Sequence, residues 1–146
     1  MEPQSIKAVR AVTGRSVVIT WKNGAESQVD LRDHLARFAV FAPLSDGAVP
    51  FAGVVVGEYG WSIRWSDDMP GSDDREVAAD TLWRLALDQG AAWLKAWRSA
   101  RGLTQEAAAT ALGLSNRMVR YYEAGRHLLP KTVRLACLGF DLERAA

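Results

Sequence analysis

The sequence predicts an α+β protein: a small antiparallel β-sheet with one or two helices, followed by an all-α domain of about four helices. In the first part, short segments of alternating apolar and polar residues lie around an Asn23-Gly24 dipeptide. Segments of helix-forming residues that end at glycine dominate the last third. Residues 1–90 hold 9 Lys and Arg against 13 Asp and Glu, whereas residues 91–146 hold 9 against 4. We therefore predict two domains, 1–90 and 91–146, of opposite net charge.

The composition is ordinary for a globular protein. Of the 146 residues, 49% are hydrophobic and 24% are charged. The sequence has no apolar run long enough to cross a bilayer, and Met1-Glu2-Pro3-Gln4 lacks the layout of a signal peptide. We therefore expect a cytoplasmic protein without membrane contact. The single cysteine, Cys137, lies among apolar residues and is expected to be a small buried side chain.

The first part of the chain is predicted to form an antiparallel meander. Residues 5–12 alternate apolar and polar side chains, and residues 17–21 are rich in β-branched and aromatic types. The Asn23-Gly24 turn then leads into a third strand over residues 25–31. A short helix is expected over residues 30–38, where apolar side chains fall on one side.

A second group of elements is predicted before the all-α domain. Residues 51–56 are expected to form a buried strand, and residues 61–65 a strand in which Trp61, Ile63 and Trp65 share one face. Residues 66–76 are polar and rich in helix breakers, which favours a surface loop. A helix over residues 77–89 is then expected to end at Gly90.

The last third of the chain predicts a pair of short capped helices. Thr104 is a candidate N-cap for a helix over residues 105–112, which meets Gly113, a residue suited to the left-handed conformation that ends a helix. Ser115 is a second candidate N-cap, for a helix over residues 116–124. Two helices joined by a short turn that contains glycine have the signature of a helix-turn-helix.

Flanking helices are expected to cover this pair. One is predicted over residues 91–101 and one over residues 131–140, the latter preceded by Pro130. The positions expected to pack between the helices are apolar, and they are Leu94, Trp97, Leu103, Ala108, Ala109, Leu112, Leu114, Val119 and Tyr122.

The opposite face of the second helix of the pair is polar and cationic. It carries Asn116, Arg117, Arg120 and Tyr121. Asn and Arg side chains have the paired hydrogen-bonding geometry that reads adenine and guanine in the major groove, which is wide enough to admit a helix. A helix-turn-helix can also serve protein contacts alone, so protein binding is the alternative for this face.

Residues 104–125, TQEAAATALGLSNRMVRYYEAG, resemble the Cro and phage-repressor type of helix-turn-helix, also called the xenobiotic-response-element family. The resemblance rests on the cap, the glycine turn, the small residue and the apolar positions, with Pro130 and an apolar helix behind. It covers roughly the last third of the chain. One departure is Ala124, because the family often has Asn there as a contact to the DNA backbone.

The resemblance implies that Gln105 contacts phosphate and that the front of the second helix reaches bases. Thr104 is expected to contact the DNA backbone beside Gln105. Arg126 and Lys131 lie where loop side chains could meet phosphate, with a solvated surface charge as an equal alternative. Arg120 is expected to take a base or a phosphate. The predicted base-reading residues are Ser115, Asn116, Arg117, Arg120 and Tyr121, and the predicted phosphate contacts are Thr104, Gln105, Arg126 and Lys131.

Most of residues 6–87 resemble a small bacterial domain family of unknown function. The resemblance is carried by the Trp-Lys-Asn-Gly hairpin, the Val-Phe-Ala-Pro-Leu loop, the Gly-Trp-Ser-Ile-Arg-Trp strand and the Asp-Thr-Leu-Trp helix start. It implies a fold and no known chemistry. Members of that family occur joined to a helix-turn-helix of this type.

Catalysis is not expected from this sequence. An acidic group, Asp67, Asp68, Asp73, Asp74 and Glu76, lacks the spacing of a Ca²⁺-binding loop and is expected to be a solvated loop, with a hard cation as the alternative. His34 and His127 lie in different halves and have no third ligand at metal spacing. We predict no catalytic residue, no metal and no cofactor.

The sequence therefore predicts a sequence-specific DNA-binding transcriptional regulator, repressor-like, with residues 116–124 as the recognition helix in the major groove. Double-stranded DNA is the expected partner. One recognition helix reads only a few base pairs, so a homodimer is expected. The alternative is a protein-interaction module, such as an antitoxin-like or adaptor subunit, whose N-terminal domain binds a protein partner.

Overall fold

The computed structural model describes residues 3–65 and 75–145. The chain forms two compact units, one ending at Arg84 and the other beginning at Leu85. The first contains the strands and the second is helical, which confirms the predicted α+β class. Most of the predicted acidic loop, including the carboxylates Asp67, Asp68, Asp73 and Asp74, lies outside the described residues.

The first sheet has three antiparallel strands in chain order. They are β1 (Ile6–Val12), β2 (Ser16–Trp21) and β3 (Glu26–Asp30). Alternate side chains of the central strand β2 point into the core, as the period of two requires. These side chains are fully buried, and they are Val17, Ile19 and Trp21.

The turn between β2 and β3 forms at the predicted dipeptide. Gly24 has φ of 89°, in the left-handed region that glycine adopts without steric cost. The Asn23 side-chain oxygen accepts a hydrogen bond from the backbone N–H of Ala25 at 3.0 Å. The predicted meander is confirmed.

Two short helices follow the first sheet. Helix α1 covers Arg32–Arg37 and α2 covers Ala42–Ser45. Their apolar side chains join the core of the first unit through Leu35 and Leu44. In that core the rings of Trp21 and Trp83 meet edge to face, with centroids 4.8 Å apart.

A second antiparallel sheet contains β4 (Val55–Val56), β5 (Ser62–Arg64) and β6 (Glu76–Ala78), in that order. The predicted strand over residues 51–56 was too long, because Phe51–Gly53 forms a 3₁₀ turn. This turn lets the Phe51 carbonyl accept a hydrogen bond from the buried Trp65 indole N–H at 2.9 Å. Strand β6 was missed, since three residues are too few to show a period of two.

The predicted alternation at β5 was wrong for one residue. Ile63 and Trp65 are fully buried, but Trp61 is 58% exposed. Trp61 closes a 3₁₀ turn, where its backbone N–H donates to the Glu58 carbonyl at 3.2 Å. Its φ of −92° and ψ of 0° are not those of a strand, so its side chain does not follow the alternation.

Helix α3 runs without interruption over Ala79–Ala100. We expected one helix to end at Gly90 and another to begin at Ala91, and that break is absent. A Cβ placed on Gly90 would lie 3.0 Å from the Cβ of Leu129. Gly90 therefore permits the close approach of the segment that carries Leu129, and does not end a helix.

The second unit continues with α4 (Gln105–Leu112), α5 (Asn116–Glu123) and α6 (Lys131–Ala145). Helix α6 extends beyond the predicted residues 131–140. Seven of the nine predicted packing positions lie in or against one core, whose buried members are Leu94, Trp97, Ala108, Tyr122, Leu129, Val133 and Cys137. The other two, Ala109 and Val119, are also buried.

Burial of Cys137 confirms its predicted structural role. Burial also raises the pKa of its thiol to about 11. Among the described helices, none is long and apolar enough to span a membrane.

Candidate nucleic-acid interface

The turn between α4 and α5 is capped on both sides. The Thr104 hydroxyl accepts a hydrogen bond from the N–H of Ala107 at 3.0 Å, which caps α4. Gly113 ends α4 with φ of 71° and ψ of 31°, and Ser115 then caps α5 by accepting from the N–H of Met118 at 3.1 Å. Both predicted N-caps and the left-handed glycine are confirmed.

The end of α5 folds the chain back onto the helix. Gly125 has φ of 69°, and the N–H of Arg126 donates to the Tyr121 carbonyl at 3.0 Å. This is the hydrogen bond of a Schellman motif, which brings the residue after the glycine back beside the last helical turn. The loop residues Arg126 and His127 consequently come to lie next to Tyr121.

Tyr121 is the centre of a cationic and aromatic cluster. Its hydroxyl accepts a hydrogen bond from Nε of Arg117 at 2.6 Å. The Arg117 and Arg126 guanidinium carbons lie 5.1 Å and 4.7 Å from the Tyr121 ring centroid, within the range of a cation–π contact. The His127 ring is 5.2 Å away. We call these four residues, Arg117, Tyr121, Arg126 and His127, the Tyr121 cluster.

The inner side of α5 is fixed by an ion pair. Arg98 donates from Nε and a terminal nitrogen to the two carboxylate oxygens of Glu123, at 2.7 Å and 2.8 Å. The Glu123 side chain is only 4% exposed. The hydrogen bond to Glu123 raises the pKa of Arg98. Arg98 also donates to the Leu103 carbonyl at 3.0 Å, which joins α3, the start of α4 and α5.

A second ion pair joins α6 to α3. Arg101 donates two hydrogen bonds to the Asp141 carboxylate, one of them at 2.6 Å, and Trp97 donates its indole N–H to the same group. The hydrogen bonds from Arg101 lower the pKa of Asp141. Helix α6 is thereby held against the helix that also carries Arg98.

The outer face of α5 is exposed and carries no acidic side chain. Its sequence NRMVRYYE holds one carboxylate, Glu123, which Arg98 neutralises on the inner side. Ser115, Asn116, Arg117 and Arg120 are exposed, and Tyr121 is half-buried. The structure therefore brings all five predicted base-reading residues to the first turns of one helix. Their predicted roles on DNA remain predictions.

The predicted phosphate contacts are more dispersed. Thr104 caps α4 with its oxygen, which leaves its hydroxyl proton to donate elsewhere. The Gln105 side chain is half-buried, and its amide lies 3.4 Å from a carboxylate oxygen of Glu123. Arg126 belongs to the Tyr121 cluster, whereas Lys131 is exposed at the first position of α6.

Sequence reasoning missed His127 as a neighbour of Tyr121, and Arg98 with Glu123 as the clamp on α5. The signal for His127 was present, since a glycine that ends a helix in the left-handed region returns the chain toward the last turn. The Arg98–Glu123 pair spans 25 positions, and no local pattern predicts such a contact.

The comparison with known protein families agrees with this geometry. Residues 91–145 match the family model of a helix-turn-helix domain. The match gives residues 91–145 a helix-turn-helix domain. The geometry of α4, its glycine turn and α5 is thus that of the helix-turn-helix itself, with α5 as its second helix.

Among solved structures, the chain is similar to a protein from Nitrosomonas europaea ATCC 19718 that is named for a proposed DNA-binding role. The two are 30% identical, the match covers 99% of this chain and 92% of that chain, and the TM-score is 0.45. No curated protein matches the chain.

No group of three or more His, Cys, Asp and Glu side chains in residues 3–65 and 75–145 is arranged to hold a metal ion. The carboxylates considered as a cation site lie mostly in residues 66–74, outside the described part. His34 and His127 belong to different units, and each ring packs against an aromatic ring.

Proposed function

We propose that the chain is a sequence-specific DNA-binding transcriptional regulator, repressor-like, with α5 as the recognition helix in the major groove. One observation carries the proposal: the outer face of α5 is exposed, cationic and free of acidic side chains. The buried Arg98–Glu123 pair removes the only carboxylate of α5 from this face. A major groove lined by acceptor atoms and flanked by phosphates attracts such a surface.

The Tyr121 cluster supports a division of roles within this face. Arg117 is held by Tyr121 in one orientation, so less side-chain entropy is lost when it binds a base. The Arg126 guanidinium carbon lies 4.7 Å from the centroid of the same ring, and we assign Arg126 to the DNA backbone. The proposed base contacts are Ser115, Asn116, Arg117 and Tyr121, with Arg120 on a base or phosphate; the proposed phosphate contacts are Thr104, Gln105, Arg126 and Lys131.

The proposed regulator works as a homodimer in the cytoplasm and binds DNA without a catalytic step. A single α5 offers contacts to only a few base pairs. Two copies on half-sites about one helical turn apart would supply the missing specificity.

A fluorescence-anisotropy titration tests the proposal. The full chain is titrated against duplex DNA from its own upstream region and against a scrambled duplex, at several salt concentrations. We expect tighter binding to the upstream duplex and a steep linear fall of log affinity with log salt, because bound phosphates release counterions. Equal affinity for both duplexes at every salt concentration would refute sequence-specific regulation.

A second candidate function is protein binding by the first unit. Tyr59 and Trp61 are 83% and 58% exposed, and both side-chain types are common at the centres of protein interfaces. Tyr59 has φ of 56°, a conformation that bulky residues rarely adopt. We propose that this aromatic turn binds a protein partner, as in an adaptor or antitoxin-like subunit. A partner captured by the full chain should be lost from the double variant Tyr59→Ser and Trp61→Ser, and an unchanged partner set would reject this role.

A further inference from the structure

Helix α6 presents an apolar stripe to solvent. Leu135, Leu138 and Leu142 are 53%, 53% and 74% exposed, although Val133 and Cys137 of the same helix are buried. The leucines are spaced by three and four residues, so they lie on one face of the helix. Helix α6 therefore has two apolar faces, and the described residues cover only one of them. We call the second face, with Leu135, Leu138, Gly139 and Leu142, the leucine stripe.

Gly139 lies within the leucine stripe, four positions after Leu135. Glycine in the interior of a helix is less favourable than alanine. A Cβ placed on Gly139 would meet no described atom within 4 Å, unlike the Cβ of Gly90 against Leu129. The packing of the described chain therefore does not require a glycine here. A second helix lying close against the stripe would require one.

The charges beside the leucine stripe are complementary to those of a second, antiparallel copy. Arg134 and Asp141 lie seven positions apart on the same flank of the stripe. In an antiparallel pair of helices, equivalent flanks face each other. With Leu135 packed against Leu138 of the partner subunit, Arg134 would lie opposite Asp141 of the partner subunit, and the two-fold axis would repeat both contacts.

The surroundings of Arg134 and Asp141 leave both side chains able to form this pair. The Arg134 guanidinium is stacked on the Trp93 ring at 4.7 Å, and no carboxylate in the described residues forms an ion pair with it. Two hydrogen bonds from Arg101 hold the Asp141 carboxylate of α6 in a fixed position, and a carboxylate has lone pairs for a further donor. Arg134 is thus a partly desolvated cation for which the second copy supplies an anion.

We propose that the leucine stripe is the homodimer interface, and that its occupant is the leucine stripe of a second copy in antiparallel orientation. This inference deepens the proposed function and rests on it. If the chain is a regulator, the dimer presents two recognition helices to two half-sites. Specific stable interfaces bury at least about 1,000 Å². A single pair of 15-residue helices gives a small interface, so the dimer exchanges with monomer at concentrations on the order of micromolar.

Sedimentation velocity of the full chain without DNA, over a range of protein concentrations, tests the proposal. We expect a concentration-dependent dimer in the wild type. Leu138→Glu should raise the dimer dissociation constant by at least about tenfold, because it places a charge at the centre of the interface. The matched control is Val55→Glu, which adds the same charge at a similarly exposed apolar residue of the first unit. It should leave the dimer unchanged, and circular dichroism should show that both variants remain folded.

Gly139→Ala separates the interface from the fold. The added methyl group has open space in the chain itself and improves helix propensity, so the melting temperature of the monomer should stay equal or rise. The same methyl group should raise the dimer dissociation constant about threefold or more, because it blocks the close approach of the two helices. A variant that is more stable yet dimerises less is not expected if Gly139 has only an internal role.

Three results would overturn the inference: a wild type that stays monomeric at all concentrations, a dimer unaffected by Leu138→Glu, or a dimer abolished by Val55→Glu. Anisotropy measured with a duplex that carries one half-site distinguishes failure of the dimer interface from failure of the proposed function. Selective half-site binding by a monomeric chain would reject only the interface. A dimer that depends on Leu138 but binds no DNA selectively would reject only the regulator.

Discussion

The hydroxyl of Tyr121 accepts a hydrogen bond at 2.6 Å from Nε of Arg117, one helical turn earlier on the exposed face of α5. Each of the two residues was predicted to read a base. Their contact gives Tyr121 a second role, since it fixes the direction in which Arg117 presents its terminal nitrogens. Residues placed four apart on a helix meet in this way without help from tertiary packing.

Tyr121→Phe should weaken DNA binding while leaving the fold intact. The ring remains for Arg126 to stack on, and only the hydroxyl that holds Arg117 is removed. A net hydrogen bond contributes about 0.5–1.5 kcal/mol, so we expect affinity to fall about threefold to tenfold. Anisotropy measures the loss and a thermal melt checks the fold. Unchanged affinity for the upstream duplex would show that the hydrogen bond does not prepare Arg117 for DNA.

Arg117→Ala should cost about 1–3 kcal/mol of DNA-binding free energy and relax sequence preference at one position. The reason is the loss of a side chain able to make a paired contact with a guanine. Binding to duplexes that carry each base at each position measures both effects. Arg144→Ala is the control, because it removes the same charge at the far end of α6. A loss of equal size on every duplex would instead assign Arg117 to phosphate.

Gly90→Ala should destabilise the helical unit although alanine is the better helix former. The new Cβ would meet Leu129 at 3.0 Å, and Leu129 is itself packed in the core. Overpacking costs about 1–3 kcal/mol, which exceeds a propensity gain of about 0.5–1 kcal/mol. Urea unfolding followed by tryptophan fluorescence gives the free energy. Gly139→Ala, measured at dilution that keeps the chain monomeric, is the control and should be neutral or stabilising. Equal effects at both glycines would contradict the close approach at Gly90.

The ion pair of Asp141 should make the helical unit sensitive to acid. Arg101 lowers the pKa of Asp141 below its ordinary value of 3.8, so the folded state favours the charged carboxylate. This stabilisation is present above pH 3.8 and is lost as the pH falls from there through the lower folded pKa. Unfolding free energy measured between neutral pH and pH 3 should therefore fall more steeply for the wild type than for Asp141→Asn.

The matched control for acid sensitivity is Glu143→Gln, at an exposed carboxylate two positions away on α6. Its pH profile should parallel that of the wild type. If the Asp141→Asn profile is also parallel, the pair with Arg101 contributes nothing to acid sensitivity.

The features that the sequence predicted correctly depend on interactions between residues close together in the chain. The hydroxyls of Thr104 and Ser115 cap helices because the amides that they accept from lie three positions away. Gly113 was predictable because a left-handed residue after a run of helix formers ends a helix. The cationic face of α5 follows from helical periodicity alone. These residues define the candidate site almost completely.

The features that sequence did not predict depend on distant partners. Gly90 looks the same in the sequence whether it ends a helix or accommodates Leu129, which lies 39 positions later. Trp61 continues an alternating pattern, yet a backbone turn places it in solvent. Glu123 is paired with Arg98, which lies 25 positions earlier in the chain, on another helix. Hydrophobic period and propensity contain no term for such contacts.

The burial of Cys137 has a practical consequence for spectroscopy. The thiolate is the reactive form of cysteine, and a pKa of about 11 leaves very little thiolate at neutral pH. It is the sole cysteine of the chain, so the natural protein offers almost no thiol to a maleimide or spin-label reagent. A cysteine introduced at an exposed position would then react alone. One engineered residue is therefore sufficient to attach a single probe, without first removing a native side chain from the core.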